Sequence, residues 1–174
     1  MHHAFRTALA ACLAATLATL ALAASPPSAR AVEWKSWNDG LQAAQKSGHP
    51  VLVDVYTDWC GWCKRMDADV YAQPEVATYL ARHFVTVRLN AESGERTIYQ
   101  GRNQAARALA SSFGVSGYPT TIFLAANGEH LANVPGYIPR ERFLLLLRYI
   151  GDGHMARNEK WDDYVKSTGT HDTP

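Results

Sequence analysis

A short apolar run, Val51-Leu52-Val53-Asp54-Val55-Tyr56, is followed by Thr57-Asp58-Trp59-Cys60-Gly61-Trp62-Cys63-Lys64. The run reads as a strand buried on both faces, and a helical pattern starts at the cysteines. A strand that feeds straight into a helix through a Cys-x-x-Cys puts Cys60 at the helix mouth. Unpaired backbone N–H groups and the helix dipole favour a thiolate there. Cys63 comes one turn later, close enough for the two sulfurs to alternate between a disulfide and a thiol pair. That arrangement is a reversible two-electron switch, and the rest of the chain is read as the frame that holds and aims it.

The N-terminus is set apart from this body. Met1 to Arg6 is short and basic, Thr7 to Ala24 is apolar and rich in Ala and Leu, and Ser25 to Arg30 is polar with prolines. Ala29-Arg30-Ala31 places small residues two apart before Val32. This is the layout of a secretory signal peptide, expected over residues 1–31. An uncleaved membrane anchor is the other reading, since a run of about 18 residues is at the lower limit for crossing a bilayer. Cleavage leaves 15 basic residues against 16 acidic, a net of −1, and it removes Cys12, so three cysteines become two. In an oxidising compartment the remaining two would join each other. Near-neutral charge offers no basic patch for nucleic acid. The 174 residues, 47% of them hydrophobic, suffice for one domain with a real core.

Along the chain, the spacing predicts a helix over 34–46 with Trp37, Leu41 and Ala44 on one face, Ser36 or Asn38 as its cap, and Gly48-His49-Pro50 as its stop. The helix starting at the cysteines runs through Lys64, Met66 and Val70. Pro74 opens another, with Val76, Tyr79 and Leu80 inward. Phe84 to Leu89 is a strand, and the polar stretch Asn90 to Arg102, with glycines at 94 and 101, reads as a loop with room for a helical turn. Asn103 to Phe113 is a helix ended by Gly114. Thr120 to Ala125 is a strand, and Asn127-Gly128 marks a two-residue hairpin into Glu129 to Val134. Pro139 opens a last core helix stopped by Gly151. Helices and strands in alternation, then a hairpin and a closing helix, give an α/β fold with a central mixed β-sheet covered on both faces.

On these residues the sequence resembles the thioredoxin family, over roughly Trp37 to Ile150. Val53 to Tyr56 before Trp59-Cys60-Gly61-Trp62-Cys63-Lys64 is similar to the family's strand and redox motif. Ser116-Gly117-Tyr118-Pro119-Thr120 is similar to its substrate-binding turn, in which the proline peptide is cis. The resemblance implies that Cys60 is an exposed nucleophile and Cys63 the resolving thiol. It implies a buried carboxylate at Asp54 behind Cys63, with Arg88 near it where the family often has lysine. It also implies that Trp59, Gly61, Trp62, Tyr118 and Pro119 border the substrate. Trp62 departs from the proline of thioredoxins proper. The stretch from Asn90 to Pro119 is longer than theirs. That length, with the export signal, resembles the C-terminal domain of the transmembrane thiol:disulfide interchange proteins.

Other readings of the same residues are open to test. A purely structural Cys60–Cys63 bridge would close too short a loop to stabilise much. Zinc needs two more ligands, and none stands at finger spacing. Haem attachment would need histidine where Lys64 stands. Lys64 itself reads as a solvated helix residue with at most a supporting role. Trp62 is expected exposed as an apolar platform for substrates. Trp161, Tyr164 and Val165 in the extension 152–174 either pack back or meet a partner.

The expectation is a periplasmic thiol–disulfide oxidoreductase with a thioredoxin-like domain over 32–151. It would need no cofactor beyond the Cys60–Cys63 disulfide and no metal. It would act as a monomer on protein thiols and disulfides, favouring reduction, with a membrane-embedded electron donor. An oxidase or isomerase of the same fold, or a non-catalytic peptide-binding or chaperone module, are the alternatives.

Overall fold

The computed structural model describes residues 31–169. Cys12 and residues 1–30 of the expected signal segment lie outside the described residues, as do residues 170–174 of the extension. Four strands form the main sheet: β1 (Val51–Tyr56), β2 (Val85–Asn90), β5 (Thr120–Leu124) and β6 (His130–Pro135), in the order β2-β1-β5-β6. β1 runs parallel to β2 and antiparallel to β5, and β6 closes the edge antiparallel to β5. The mixed sheet and its helical cover agree with the expected thioredoxin fold.

Side chains alternate across β1, so one strand feeds two cores. Val51, Val53 and Val55 pack with Trp37 and Ala44 of α1 (Trp37–Ser47) and Leu109 of α4 (Ala106–Ser112). Leu52 faces the other layer, with Met66 of α2 (Gly61–Met66), Leu80 of α3 (Pro74–His83) and Phe143 and Leu147 of α5 (Arg140–Gly151). The face of β1 that carries Leu52 also carries Asp54, so a carboxylate enters the layer that holds the cysteine helix. α1 lies very close to β2: a Cβ at Gly40 would stand 2.1 Å from a Val87 methyl carbon.

Several expectations are corrected. α1 begins at Trp37 with Ser36 as its cap, whose Oγ accepts from the Asp39 N–H at 3.3 Å. Trp34 precedes it, because Lys35 forms a bridge to Val87 of β2. The cysteine helix is not one regular helix to Val70: Asp67–Tyr71 is a π-helical turn, with the Ala72 N–H bonded to Asp67 O at 2.9 Å. The 90–102 stretch is not merely a loop. It contains β3 (Arg96–Tyr99), which pairs with β4 (Arg102–Ala105) as a separate hairpin, and so α4 begins at Ala106 instead of Asn103.

The reason for that hairpin is tertiary. Asn38 accepts from the Ile98 N–H at 2.8 Å and donates to Arg96 O at 2.9 Å, while Trp37 Nε1 donates to Ile98 O at 3.1 Å. Side chains of α1 thus satisfy an edge that no neighbouring strand covers.

The β5–β6 connection is longer than two residues. β5 ends at Leu124, β6 begins at His130, and the Ala125 N–H donates to Glu129 O across the turn, where Gly128 takes φ +86°. Gly151 is the last residue of α5 and not its stop. A Cβ there would meet the Tyr79 hydroxyl at 2.8 Å, so the glycine serves close packing of α5 on α3, and the left-handed turn falls at Gly153. α6 (Trp161–Ser167) packs back on the domain, with Tyr164 and Val165 buried beside Tyr149 of α5.

Candidate functional site

β1 ends at Tyr56, and the chain turns through Thr57 to Trp59, with the Cys60 N–H bonded to Thr57 O at 3.2 Å. Cys60 takes extended backbone angles and caps α2, its Sγ accepting from the Cys63 N–H at 3.0 Å. Cys60 and Cys63 are joined as a disulfide, their Cα atoms 5.3 Å apart. The cap gives the Cys60 sulfur a backbone donor in addition to its bond to Cys63, which is the local basis for a stabilised thiolate once that bond is reduced.

Cys60 is not broadly exposed as expected: the residue is 4% accessible and Cys63 6%. The Cys60 N–H is tied back to Thr57 just past β1, and Trp59 and Trp62 flank it in the motif. Gly61 opens outward, where a Cβ would meet nothing within 4 Å.

Asp54 lies in the sheet at 2% exposure. Its Oδ2 accepts from Arg88 Nε at 3.2 Å, and its Oδ1 lies 3.5 Å from the Tyr71 hydroxyl. Arg88 reaches Asp54 because the two are partners in the β1–β2 register. Arg88 also pairs with Asp67 in the π-helical turn and lies under the Trp34 ring at 4.5 Å. Burial pushes the Asp54 carboxyl up to about 6, against the pull of the Arg88 charge and with a further push from Asp67.

Two aromatic pairs border the disulfide. Trp59, 66% exposed, meets Tyr118 edge-on at 6.0 Å, and its Nε1 donates to both oxygens of Glu92 at 3.0 Å. Trp62, 57% exposed, leans on Tyr137 at 5.6 Å with the Arg65 guanidinium 5.7 Å above it. Tyr118 is half-buried and Pro119 buried; the peptide between them is cis, and Pro119 O accepts from the Gly136 N–H at 2.8 Å. Lys64 is exposed on α2.

Asp54 and Arg88 therefore share one polar cluster, while Trp59 pairs with Tyr118 beside the cysteines and Trp62 stands on α2. Asp67, Tyr71, Glu92 and Tyr137 complete the surroundings and are not singled out by the sequence. Asp67 had a signal, lying four residues after Cys63 and so on the same helical face. Tyr137 had none, since it arrives from the far end of β6. Among the described residues there is no cluster of three metal-binding side chains and no helix long and apolar enough to cross a membrane.

The family model described as a thioredoxin-like domain matches residues 37–151. The thiol:disulfide interchange protein DsbD of Ralstonia nicotianae is 34% identical over 112 residues, 64% of this chain; the chain spans only 17% of that relative's length. The disulfide bond reductase DsbH of Chlamydia pneumoniae is 25% identical over 131 residues, covering 71% of this chain and 78% of the relative. The solution structure of a thioredoxin from Thermus thermophilus superposes with a TM-score of 0.61 at 26% identity, covering 75% of this chain and 95% of the other.

Proposed function

The chain belongs to the thioredoxin-like family and is a thiol–disulfide oxidoreductase, and from that premise we propose that it runs in the reducing direction on protein disulfides in the cell envelope. The observation that carries the reading is the Cys60–Cys63 disulfide formed across the start of α2, with Cys60 Sγ held by a backbone N–H and a buried carboxylate in the layer behind.

In the reduced form Cys60 attacks one sulfur of a substrate disulfide, forming a mixed disulfide and releasing one substrate thiolate. Cys63 then gives its proton to Asp54 and attacks Cys60 Sγ. The Cys60–Cys63 bond re-forms and the second substrate thiol leaves, so two electrons pass to the substrate. A carboxyl near 6 suits the proton transfer, because it is ionised at neutral pH yet basic enough to compete for the thiol proton. Arg88 keeps that carboxylate partly neutralised. Trp59, Trp62, Tyr118 and Pro119 offer an extended substrate an apolar border, over the space left open at Gly61, and Lys64 stays in solvent as a supporting charge.

The reducing direction is supported by the name of the DsbH relative, and the envelope by the signal-like residues 1–31. Residues 32–151 are the working domain and 152–174 its extension, in a monomer. Reduction in an oxidising compartment requires electrons, so a membrane-embedded dithiol protein is the proposed donor, and the Cys60–Cys63 pair is the only redox group required.

The test is the equilibrium potential of the pair in residues 32–174 together with insulin reduction. A potential near about −270 mV with activity lost in Cys60→Ser supports a reductase, whereas about −120 to −180 mV makes the protein an oxidant or isomerase. Insulin reduction that survives Cys60→Ser sinks the mechanism.

A further inference from the structure

Continuing directly from the cysteine helix, the π-helical turn delivers two polar side chains to the Asp54–Arg88 pair, and only Asp67 among them reaches solvent. The other, Tyr71, is 3% exposed, and its ring is held edge-on by Trp34 at 4.9 Å and by Phe143 at 5.5 Å. A polar hydroxyl is costly in such a place unless it has a partner. A π turn inserts one extra residue and so re-aims the side chains beyond it.

We propose that Tyr71 is a positioning residue for thiol–disulfide exchange: its hydroxyl holds Oδ1 of Asp54 while Arg88 holds Oδ2, orienting the carboxylate to receive the Cys63 proton. This rests on Asp54 being the proton acceptor. Among the described residues no other side chain donates to Oδ1. Thr121, fully buried and directly across from Asp54 in the β1–β5 register, does not compete for Oδ1, since its hydroxyl makes no hydrogen bond. A phenol has one proton to give, and Oδ1 of Asp54 is the acceptor within its reach.

The 3.5 Å contact belongs to the disulfide form, in which there is no thiol to deprotonate; contacts of this kind tighten when the base is in use. Burial and the Asp54 charge hold the Tyr71 phenol well above its ordinary range, so it stays a donor throughout. The groups facing Asp54 are Arg88 from β2, Asp67 and Tyr71 from the π turn, and uncharged Thr121 from β5; the disulfide does not titrate.

The experiment titrates the Asp54 carboxyl carbon by NMR in the full chain, and measures the pH profile of disulfide reduction, in wild type, Tyr71→Phe and Asp54→Asn. The expected result in Tyr71→Phe is an upward shift of Asp54 by about one pH unit, since the ionised form loses a donor, with the acid limb of the rate profile moving alongside and KM unchanged. Asp67→Asn should move Asp54 the opposite way, because a neighbouring negative charge is gone. An Asp54 titration in Tyr71→Phe equal to wild type overturns the proposal while Asp54→Asn still shifts the rate profile. An unshifted profile in Asp54→Asn refutes Asp54 as acceptor, and the proposal with it. If Tyr71→Phe does not fold, 3-fluorotyrosine placed at position 71 replaces it: a more acidic phenol is a stronger donor, so a downward shift of Asp54 supports the proposal and no shift overturns it.

Discussion

Arg88 stands beside Asp54 on the neighbouring parallel strand, in register with it, and its Nε is 3.2 Å from Asp54 Oδ2. One guanidinium there serves two carboxylates, because its other arm pairs with Asp67. Burial outweighs the Arg88 charge at Asp54, and the Asp67 charge adds to it, so the carboxyl rises to about 6 instead of falling.

Removing that charge should raise Asp54 further. In Arg88→Gln the carboxyl is expected to titrate above 6. Disulfide reduction at pH 7 should then fall by about tenfold for every pH unit by which the carboxyl comes to titrate above 7, because the ionised base becomes that much scarcer. Arg88→Lys restores charge without the paired geometry and should recover part of the rate. Rates measured from pH 6 to 9 check both variants.

The same carboxyl makes stability depend on pH in a defined direction. Its folded pKa, about 6, lies above the ordinary 3.8, so the native state binds more protons between those values. Stability therefore falls as pH rises from about 4 to about 6 and is flat above, with a full penalty on the order of 3 kcal/mol. Asp54→Asn should flatten this dependence and make the protein relatively more stable at pH 7 than wild type, with no such advantage at pH 4. Urea unfolding at the two pH values, in wild type and variant, measures it.

Division of labour between the cysteines predicts different fates for their variants. Cys63→Ala should accumulate mixed disulfides through Cys60, visible on non-reducing gels and lost on adding dithiothreitol, and Cys60→Ser should form none. If the trap in an envelope extract captures no membrane protein, the proposed electron donor is wrong.

The border aromatics should affect binding more than chemistry. Trp62→Ala removes an exposed indole supported by Tyr137 and Arg65, and KM for a protein disulfide is expected to rise several-fold with kcat little changed. Tyr137→Ala should act in the same direction and more weakly, since it only props the ring. Steady-state kinetics with a folded and a small disulfide separate the two effects.

Deleting α6 should destabilise the domain without touching the exchange reaction. Tyr164 and Val165 bury apolar surface worth roughly 1.5 to 3 kcal/mol each. Truncation after Lys160 is therefore expected to lower Tm by about 10 to 20 °C, read by thermal unfolding, while insulin reduction below that temperature persists.

What the sequence by itself determined was local. An apolar six-residue run has to be covered on both faces, a Cys-x-x-Cys after it has to open a helix, and Pro139 has to start one. From these came β1, the redox pair, the mixed sheet and the burial of Asp54, whose place inside an apolar run leaves it nowhere else to go. Tertiary structure decided whatever depends on a partner distant in sequence. The 90–102 stretch looks like a polar loop until Trp37 and Asn38 supply the edge that makes it a hairpin. Gly151 resembles a helix stop until Tyr79 fills the space against it. The family resemblance implies an exposed Cys60, which the folded chain leaves only 4% accessible. Tyr71 reaches Asp54, and Asp67 its partner Arg88, through a π turn that no periodicity announces, because Tyr71 is held by Trp34 and Phe143, both distant in sequence.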